Sequence, residues 1–427
     1  MSTLKYHLKL IIGNISINNA QFVYQLSTKG GILGQTILAI YRALLKICNL
    51  SMFPIESYVT YSKKVATSQL VTIDIDRVGV SSNIIMSDSD TEIKFYKSTL
   101  PDLLMLKSSN VNISGNSDVI VDVNNNCVIS DACYNVASNV QVIDGLLYRT
   151  RNNVCILRDN LCKPQKHINS GIMMSGKFCN NYYHVLLENL IKLLYIEKLD
   201  IPTDVPIIMD SRTIKTPSLK RIYDLLTNDL KRSVITIDSD KIYHFSTLYS
   251  INCVNQIPSH LLDNHSAHSP YLYYPIAIKK LRDNLLPHCT NTKFPNKVFI
   301  TRASTKRRNF NENEVFEVLQ KYGFEKVAPE LLTFEEQMTL FHNAEYIVAG
   351  SGAALTNLLF VTEKCTVICF GISNNGDEIP VFNTIANING TKFIYFPRKS
   401  NGNGDVHSNF EIDCSKFDNF LQRTLNK

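Results

Sequence analysis

Ile347 to Asn357 reads IVAGSGAALTN. Apolar residues from Tyr346 to Ala349 suit a buried strand, and Ala353 to Phe360 suits a helix, so Gly350-Ser351-Gly352 is a turn joining the two. A turn of this kind offers backbone N–H groups and the positive end of a helix to an anion. It lacks the Gly-Lys-Ser/Thr ending of a Walker loop and is not a full G-x-G-x-x-G. Taken alone it fits an anion cradle and a plain tight βα turn equally.

The pattern extends in both directions. Upstream, KVFIT from Lys297 predicts a strand, Glu312 to Tyr322 a helix stopped by Gly323, and Phe324 to Val327 a short strand. Thr333 and Glu336 have capping-box spacing and open a helix to about Asn343; downstream, Thr366 to Phe370 is again strand-like. Strands alternating with helices imply a parallel sheet. Arg302, Arg307 and Arg308 follow the first of these strands, on the same side of such a sheet as the glycine turn. Guanidinium groups near a helix start suit a diphosphate, because each can make paired, charge-assisted hydrogen bonds where Lys supplies only a point charge. The competing reading is a solvated basic loop.

A second alternating series lies between Cys179 and Leu285. It comprises a helix at Tyr183 to Leu199 with Leu186, Leu187, Leu190, Leu193 and Leu194 on one stripe, strands at Val205 to Met209, Val234 to Ile237 and Thr247 to Ile251, and helices at Pro217 to Leu226 and Leu272 to Leu285. Ser259 to Pro270, between them, reads as a polar loop. From Asp90 to Leu157 short β-prone runs are split by Asn, Asp and Gly, a β-rich meander in which Asp144-Gly145 is the strongest hairpin signal. The expected organisation is an N-terminal region with a helix and the meander (1–165), a first Rossmann-like, acceptor-side domain (166–290), and a second Rossmann-like, donor domain with a C-terminal helix (291–427). The fold class is α/β, two units facing a cleft that takes ligands at the carboxyl ends of strands.

At 427 residues the chain exceeds one ordinary core. Its hydrophobic content of 44%, charged content of 19% and mean hydropathy of -0.05 are those of a globular protein. The net charge of +6 is mild and no long basic run suggests a nucleic-acid groove; anionic small molecules and a membrane surface fit better. The 11 cysteines are scattered, odd in number and without zinc spacing, so reduced thiols are expected, Cys365 and Cys369 included. MSTLKYHLKLIIGN at the start is a poor signal peptide. Ile32 to Cys48 is an apolar helix interrupted by Gln35, Arg42 and Lys46, suited to burial or to lying on a membrane surface.

For acid–base chemistry the leading pair is His184 and Glu188, four apart on a helix, where the carboxylate can orient the imidazole as a general base for a hydroxyl. A packed histidine beside a Glu188–Lys192 surface pair is the alternative. His260, His265 and His268 have no completing metal ligand, and Asp238-Ser239-Asp240 lies outside the anion-site candidate. No metal is therefore expected, with Arg and the helix dipole stabilising a leaving diphosphate.

Taken together, Asn181-Tyr182-Tyr183-His184-Val185-Leu186-Leu187-Glu188, Arg307-Arg308 with Asn311 to Glu314, Gly323-Phe324, Pro329-Glu330, Thr333 to Gln337, and Gly352-Ala353-Ala354-Leu355-Thr356-Asn357 resemble glycosyltransferase family 61 from about Asn180 to Phe370. The family usually has Trp where this chain has Val185, often His at Ser351, and an acidic residue at Cys369. The resemblance implies a two-domain GT-B fold and a metal-independent transfer that inverts the anomeric centre, with a nucleotide-sugar as co-substrate and no other cofactor. It implies His184 and Glu188 as catalytic residues and Arg302, Arg307, Arg308, Gln337, Ser351, Gly352, Ala353, Ala354 and Asn357 as donor-binding residues. The implied partners are the nucleotide-sugar and a glycan or lipid-linked glycan acceptor, in capsular or other surface polysaccharide synthesis. With a poor signal peptide and no clear anchor, the expected setting is the cytoplasm, free or peripheral at the inner face of the membrane, and no nucleic acid is expected as a partner. A non-catalytic partner of a polysaccharide assembly is the alternative from another class, and a pyruvyl or phosphate-sugar transferase would keep the anion site with another donor.

Overall fold

The computed structural model describes residues 23, 31–47, 50–89, 91–131, 147–151, 153–158, 163–252, 254–255, 272–302, 308–372, 381–400 and 409–425. The Asp144-Gly145 turn, the opening 14 residues, Arg307 and the loop with His260, His265 and His268 lie outside them. The chain divides into two compact units, Met1–Ile75 with Pro101–Asp263, and Asp76–Leu100 with Asn264–Lys427.

Strands of the first unit are β1 (Leu50–Glu56), β2 (Gln69–Ile73), β5 (Leu103–Ile113), β6 (Ile120–Asp122), β7 (Cys127–Ile129), β8 (Leu147–Arg151), β9 (Val154–Arg158), β10 (Lys166–Met173), β11 (Ile207–Asp210), β12 (Val234–Ile237) and β13 (Tyr243–Ile251). They form one sheet in the order β12-β11-β10-β13-β5-β6-β7-β1-β9-β8, with β2 on β5. β10 to β13 pair in parallel, as do β1 and β7, and β13 pairs antiparallel with β5, so the expected meander and the first α/β series share a single sheet. The order β12-β11-β10-β13 reverses between β10 and β13, and at such a reversal the loops leave on opposite faces and open a crevice at the strand ends. Tyr61, Leu106, Val111, Ile129, Phe245 and Leu248 are among the buried residues of this unit's core.

The second unit holds the hairpin β3 (Val78–Ser82) and β4 (Phe95–Thr99), then β14 (Lys297–Ile300), β15 (Glu325–Val327), β16 (Tyr346–Gly350), β17 (Thr366–Ile372), β18 (Lys392–Ser400) and β19 (Phe410–Glu411). The order is β15-β14-β16-β17-β18-β19, parallel throughout except for the last pair. β14, β16 and β17 are buried runs with Val298, Phe299, Val348 and Ile368 in the interior, the continuous apolar pattern of a strand covered on both faces. This sheet reverses between β14 and β16. The whole is a mixed α/β structure.

Three elements differ from expectation. Tyr182–Lys198 is helical, but as one α-turn (Tyr182–His184), a π-helical stretch (Val185–Asn189) and a 3-10 stretch (Leu190–Lys198). Val185 to Leu193 are buried all round, so the leucine stripe belongs to an interior helix, and Lys192 lies inside and not in a surface pair. Second, Ala353–Leu359 is a 3-10 helix of 7 residues, too short for a strong dipole. Third, in the helix Gly31–Ile47, Leu38 and Leu45 are buried while Ile32, at 89% exposure, and Leu33, Ile40 and Leu44 face outward, so only one side is covered. No described helix is long and apolar enough to cross a membrane.

Candidate functional site

At the reversal in the second sheet, β14 ends at Ile300 and β16 at Gly350, side by side, so whatever follows each strand is delivered to the same place. Arg302 follows the first and Ser351-Gly352 the second. Arg302 Nη1 and Arg308 Nη1 both donate to the Ser351 carbonyl oxygen, at 3.2 and 2.8 Å. A Cβ on Gly352 would overlap Arg302 Nη1, and one on Gly350 would stand 3.1 Å from Arg302 Cδ, so both glycines are needed for the guanidinium to lie against the turn. The Gly352 backbone is extended and carries no left-handed strain. Space is the reason for glycine here.

The arginines are aimed by their surroundings. Glu312 accepts from Thr301 Oγ1 and, at 2.9 Å, from the Arg302 N–H, closing the strand end onto the next helix. Arg308 sits at φ 58, a left-handed conformation that costs a non-glycine residue on the order of 1 kcal/mol and turns the chain back toward Ser351. Burial lowers the proton affinity of Arg302, and the positive charges of Arg308 and Arg398 lower it further. Arg398, on β18, is the site residue that composition and motif reading missed. An Arg closing the apolar run Phe393 to Phe396 was the available signal.

The remaining donor-side residues fall into two groups. Ala353 is exposed and Ser351, Gly352 and Ala354 are partly exposed, at the arginine-lined turn. Gln337 and Asn357 are buried, and Asn357 Nδ2 donates to Gln337 Oε1 at 3.0 Å while Gln337 Nε2 donates to the Leu332 carbonyl at 3.2 Å. That pair ties the helix Phe334–Asn343 to the 3-10 helix after the turn. Cys369 is fully buried. All seven described cysteines are free thiols.

In the first unit, β10 leads through Met174 to Gly176 into the helix capped by Asn181, whose side chain accepts from the Tyr183 N–H. His184 Nδ1 and Glu188 Oε2 are 2.9 Å apart. The imidazole packs against Phe178, centroids 4.6 Å apart, and meets Tyr183 edge-on at 5.0 Å. A carboxylate can only accept, so with Glu188 ionised the proton rests on Nδ1 and Nε2 is the acceptor. Glu188 Oε1 is buried and has no hydrogen-bond partner among the described residues. Close by, Asp118 carries a carboxyl whose pKa is raised by burial and by Glu188, against the lowering effect of Lys177 and Lys192. Asp118, Asp131 and Lys192 line a cavity of about 20 Å³, the space of one water, together with Met173 and Ile251 from the ends of β10 and β13.

Among the described residues no group of three or more His, Cys, Asp or Glu is placed to hold a metal ion. Asp238 is tied to Lys241 at 2.8 Å.

Residues 182–368 match the family model Glycosyltransferase 61. The resemblance read from the motifs is thereby borne out, and the match supports glycosyltransferase activity at the level of the family, with a sugar donor and a glycan acceptor in general. The Glycosyltransferase 61 segment contains both the His184–Glu188 pair and the glycine turn with Arg302 and Arg308; Asp118 and Arg398 lie outside it. No curated protein matches the chain.

Proposed function

We propose that the chain is an inverting glycosyltransferase of GT-B form that moves a sugar from a nucleotide-sugar to an acceptor hydroxyl of a surface or capsular glycan, at the cytoplasmic face of a membrane and without a divalent metal. The observation that carries the reading is the convergence of Arg302 and Arg308 on the Ser351 carbonyl at the carboxyl ends of β14 and β16. Guanidiniums held at a sheet reversal beside a small-residue turn suit a diphosphate.

In a single displacement the acceptor oxygen attacks the anomeric carbon as the bond to the diphosphate oxygen breaks. The hydroxyl proton passes to His184 Nε2, while Glu188 holds Nδ1–H and stabilises the imidazolium that forms. Charge develops on the departing diphosphate, where the arginines oppose it from fixed positions without reorganising. Cys369 gives the cluster a neutral neighbour where the family often has an acid, which favours a more strongly anionic donor group.

A panel of sugar nucleotides assayed for transfer or slow donor hydrolysis tests the reading. One donor class is expected to be turned over, with inversion at the anomeric carbon, and His184→Ala is expected to lower turnover at least a hundredfold. Turnover of no donor, together with binding of no nucleotide, would point to the non-catalytic partner instead.

A further inference from the structure

The helix Gly31–Ile47 carries three different strips along its length. Leu38 and Leu45 are buried and pack with Met52 of β1 and Ile156 of β9, which fixes one face on the sheet. At 3.6 residues per turn the opposite face holds Ile32, Leu33, Thr36, Ile40, Ala43 and Leu44. Ile32 and Leu33 are 89% and 71% exposed, and Ile40 and Leu44 are 58% and 57% exposed. Thr36, the polar member of that face, donates its hydroxyl to the Ile32 carbonyl at 2.9 Å and so asks little of water. Gln35, Arg42 and Lys46 fall together on one flank, between the buried face and the outer one. A surface helix bathed in water has the reverse arrangement, with its charges pointing straight away from the core and its apolar residues confined to the buried stripe. A contiguous outward apolar strip of this kind marks a contact surface.

The charges say what covers it. None of the 17 residues is acidic, and the flank beside the strip is basic. A second copy laid on the same face would bring two basic flanks together with no carboxylate on either helix to answer them. A bilayer with anionic headgroups complements both features: acyl chains meet the outer face while Arg42 and Lys46 reach from the side to the phosphates. Lying in the surface requires one apolar face and not a membrane-spanning length. Resting on the reading that the chain works at a membrane, we propose that the helix Gly31–Ile47 is its membrane contact, seated in an anionic lipid surface through Ile32, Leu33, Ile40 and Leu44.

Co-sedimentation of the full chain with phosphatidylcholine vesicles, with and without about a quarter phosphatidylglycerol, tests the assignment. The unaltered chain is expected to bind the anionic vesicles at least tenfold more tightly than the neutral ones. Ile40→Ser with Leu44→Ser is expected to lower that affinity at least tenfold and leave the melting temperature unchanged, since both side chains are exposed. Arg42→Gln with Lys46→Gln is expected to remove most of the preference for anionic lipid. The chain has no tryptophan, so Ile40→Trp places the sole indole on the outer face, and its emission is expected to move to the blue on anionic vesicles. The proposal is overturned by an unaltered chain that does not bind, by full binding in the serine variant, or by unmoved emission from vesicle-bound protein. A lipid-free dimer that the serine pair dissolves also overturns it, by putting a second copy on the face. None of these readouts involves a sugar donor: vesicle binding without turnover of any donor leaves the helix assignment standing and sinks the transferase reading, and turnover without vesicle binding does the opposite.

Discussion

A single methyl group at residue 352 probes the anion site without removing any charge. Because a Cβ there would overlap Arg302 Nη1, Gly352→Ala is expected to push the guanidinium off the turn and weaken nucleoside diphosphate binding at least tenfold in a calorimetric titration. The melting temperature is expected to change little, since the Gly352 backbone is already extended. Removing a charged donor differs in size: Arg308→Ala deletes a hydrogen bond of the charge-assisted kind, about 1.5–3 kcal/mol, and is expected to abolish measurable nucleotide binding where a neighbouring arginine is also disturbed. His184→Ala is expected to leave nucleotide affinity within threefold and reduce turnover, and equal loss of binding in the two variants would contradict the division of roles. Residue chemistry was the most legible level, because a His and a Glu four apart on a helix must meet whatever the surroundings. The turn glycines were legible for the same local reason. Arg398 was not: its neighbourhood is made by Phe410 and Asn309, brought together across about a hundred residues of chain, and no local spacing encodes that.

Elements show where local rules held and where packing overrode them. The capping box at Thr333 and Glu336 formed as its spacing predicts, with Glu336 N–H donating to Thr333 Oγ1 at 3.2 Å and Thr333 N–H to Glu336 Oε2 at 2.9 Å. Thr333→Ala is expected to cost about 1 kcal/mol in urea unfolding, with anion binding unchanged. The helix after Asn181 went otherwise. Its sequence suits an α-helix, yet complete burial from Val185 to Leu193 lets tertiary packing set the winding, and the π stretch widens the turn that carries Glu188. A pH test belongs to the strands β10 and β13, where His244 faces His167, ring centroids 5.0 Å apart, and its Nδ1 lies 3.0 Å from Asn112 Oδ1. Burial, then His167, lowers the His244 pKa. The unfolded chain therefore takes up this proton first, so the group's contribution is present above the unfolded value of about 6.5 and is lost as pH falls through that value toward the folded pKa. His244→Gln is expected to flatten the stability profile across that window, read from urea midpoints at pH 7.5 and 5.5; an equal slope in the variant would contradict the assignment.

For the whole molecule, alternating strand and helix patterns made the α/β class readable, and β14, β15, β16 and β17 of the six-stranded sheet are the strands expected from Lys297 onward, while β18 and β19 were not foreseen. What could not be read was the pairing of β13 with β5, which draws the β-rich region and the first α/β series into one sheet, since hydrogen-bond partners 132 residues apart leave no mark on local periodicity. The excursion of β3 and β4 into the second unit was hidden for the same reason: Ser82 meets Thr384, Asn383 and Asn387 in a buried polar cluster that only the folded chain assembles. The central claim is that the sheet reversal between β14 and β16 is a nucleoside diphosphate site, and thermal stabilisation by UDP, GDP and CDP tests it most directly. At one hundred times its dissociation constant the correct nucleotide adds about 2.7 kcal/mol, a rise of several degrees in the unaltered chain that Arg308→Ala loses. No shift with any nucleoside diphosphate, or a shift that Arg308→Ala retains in full, would contradict the account.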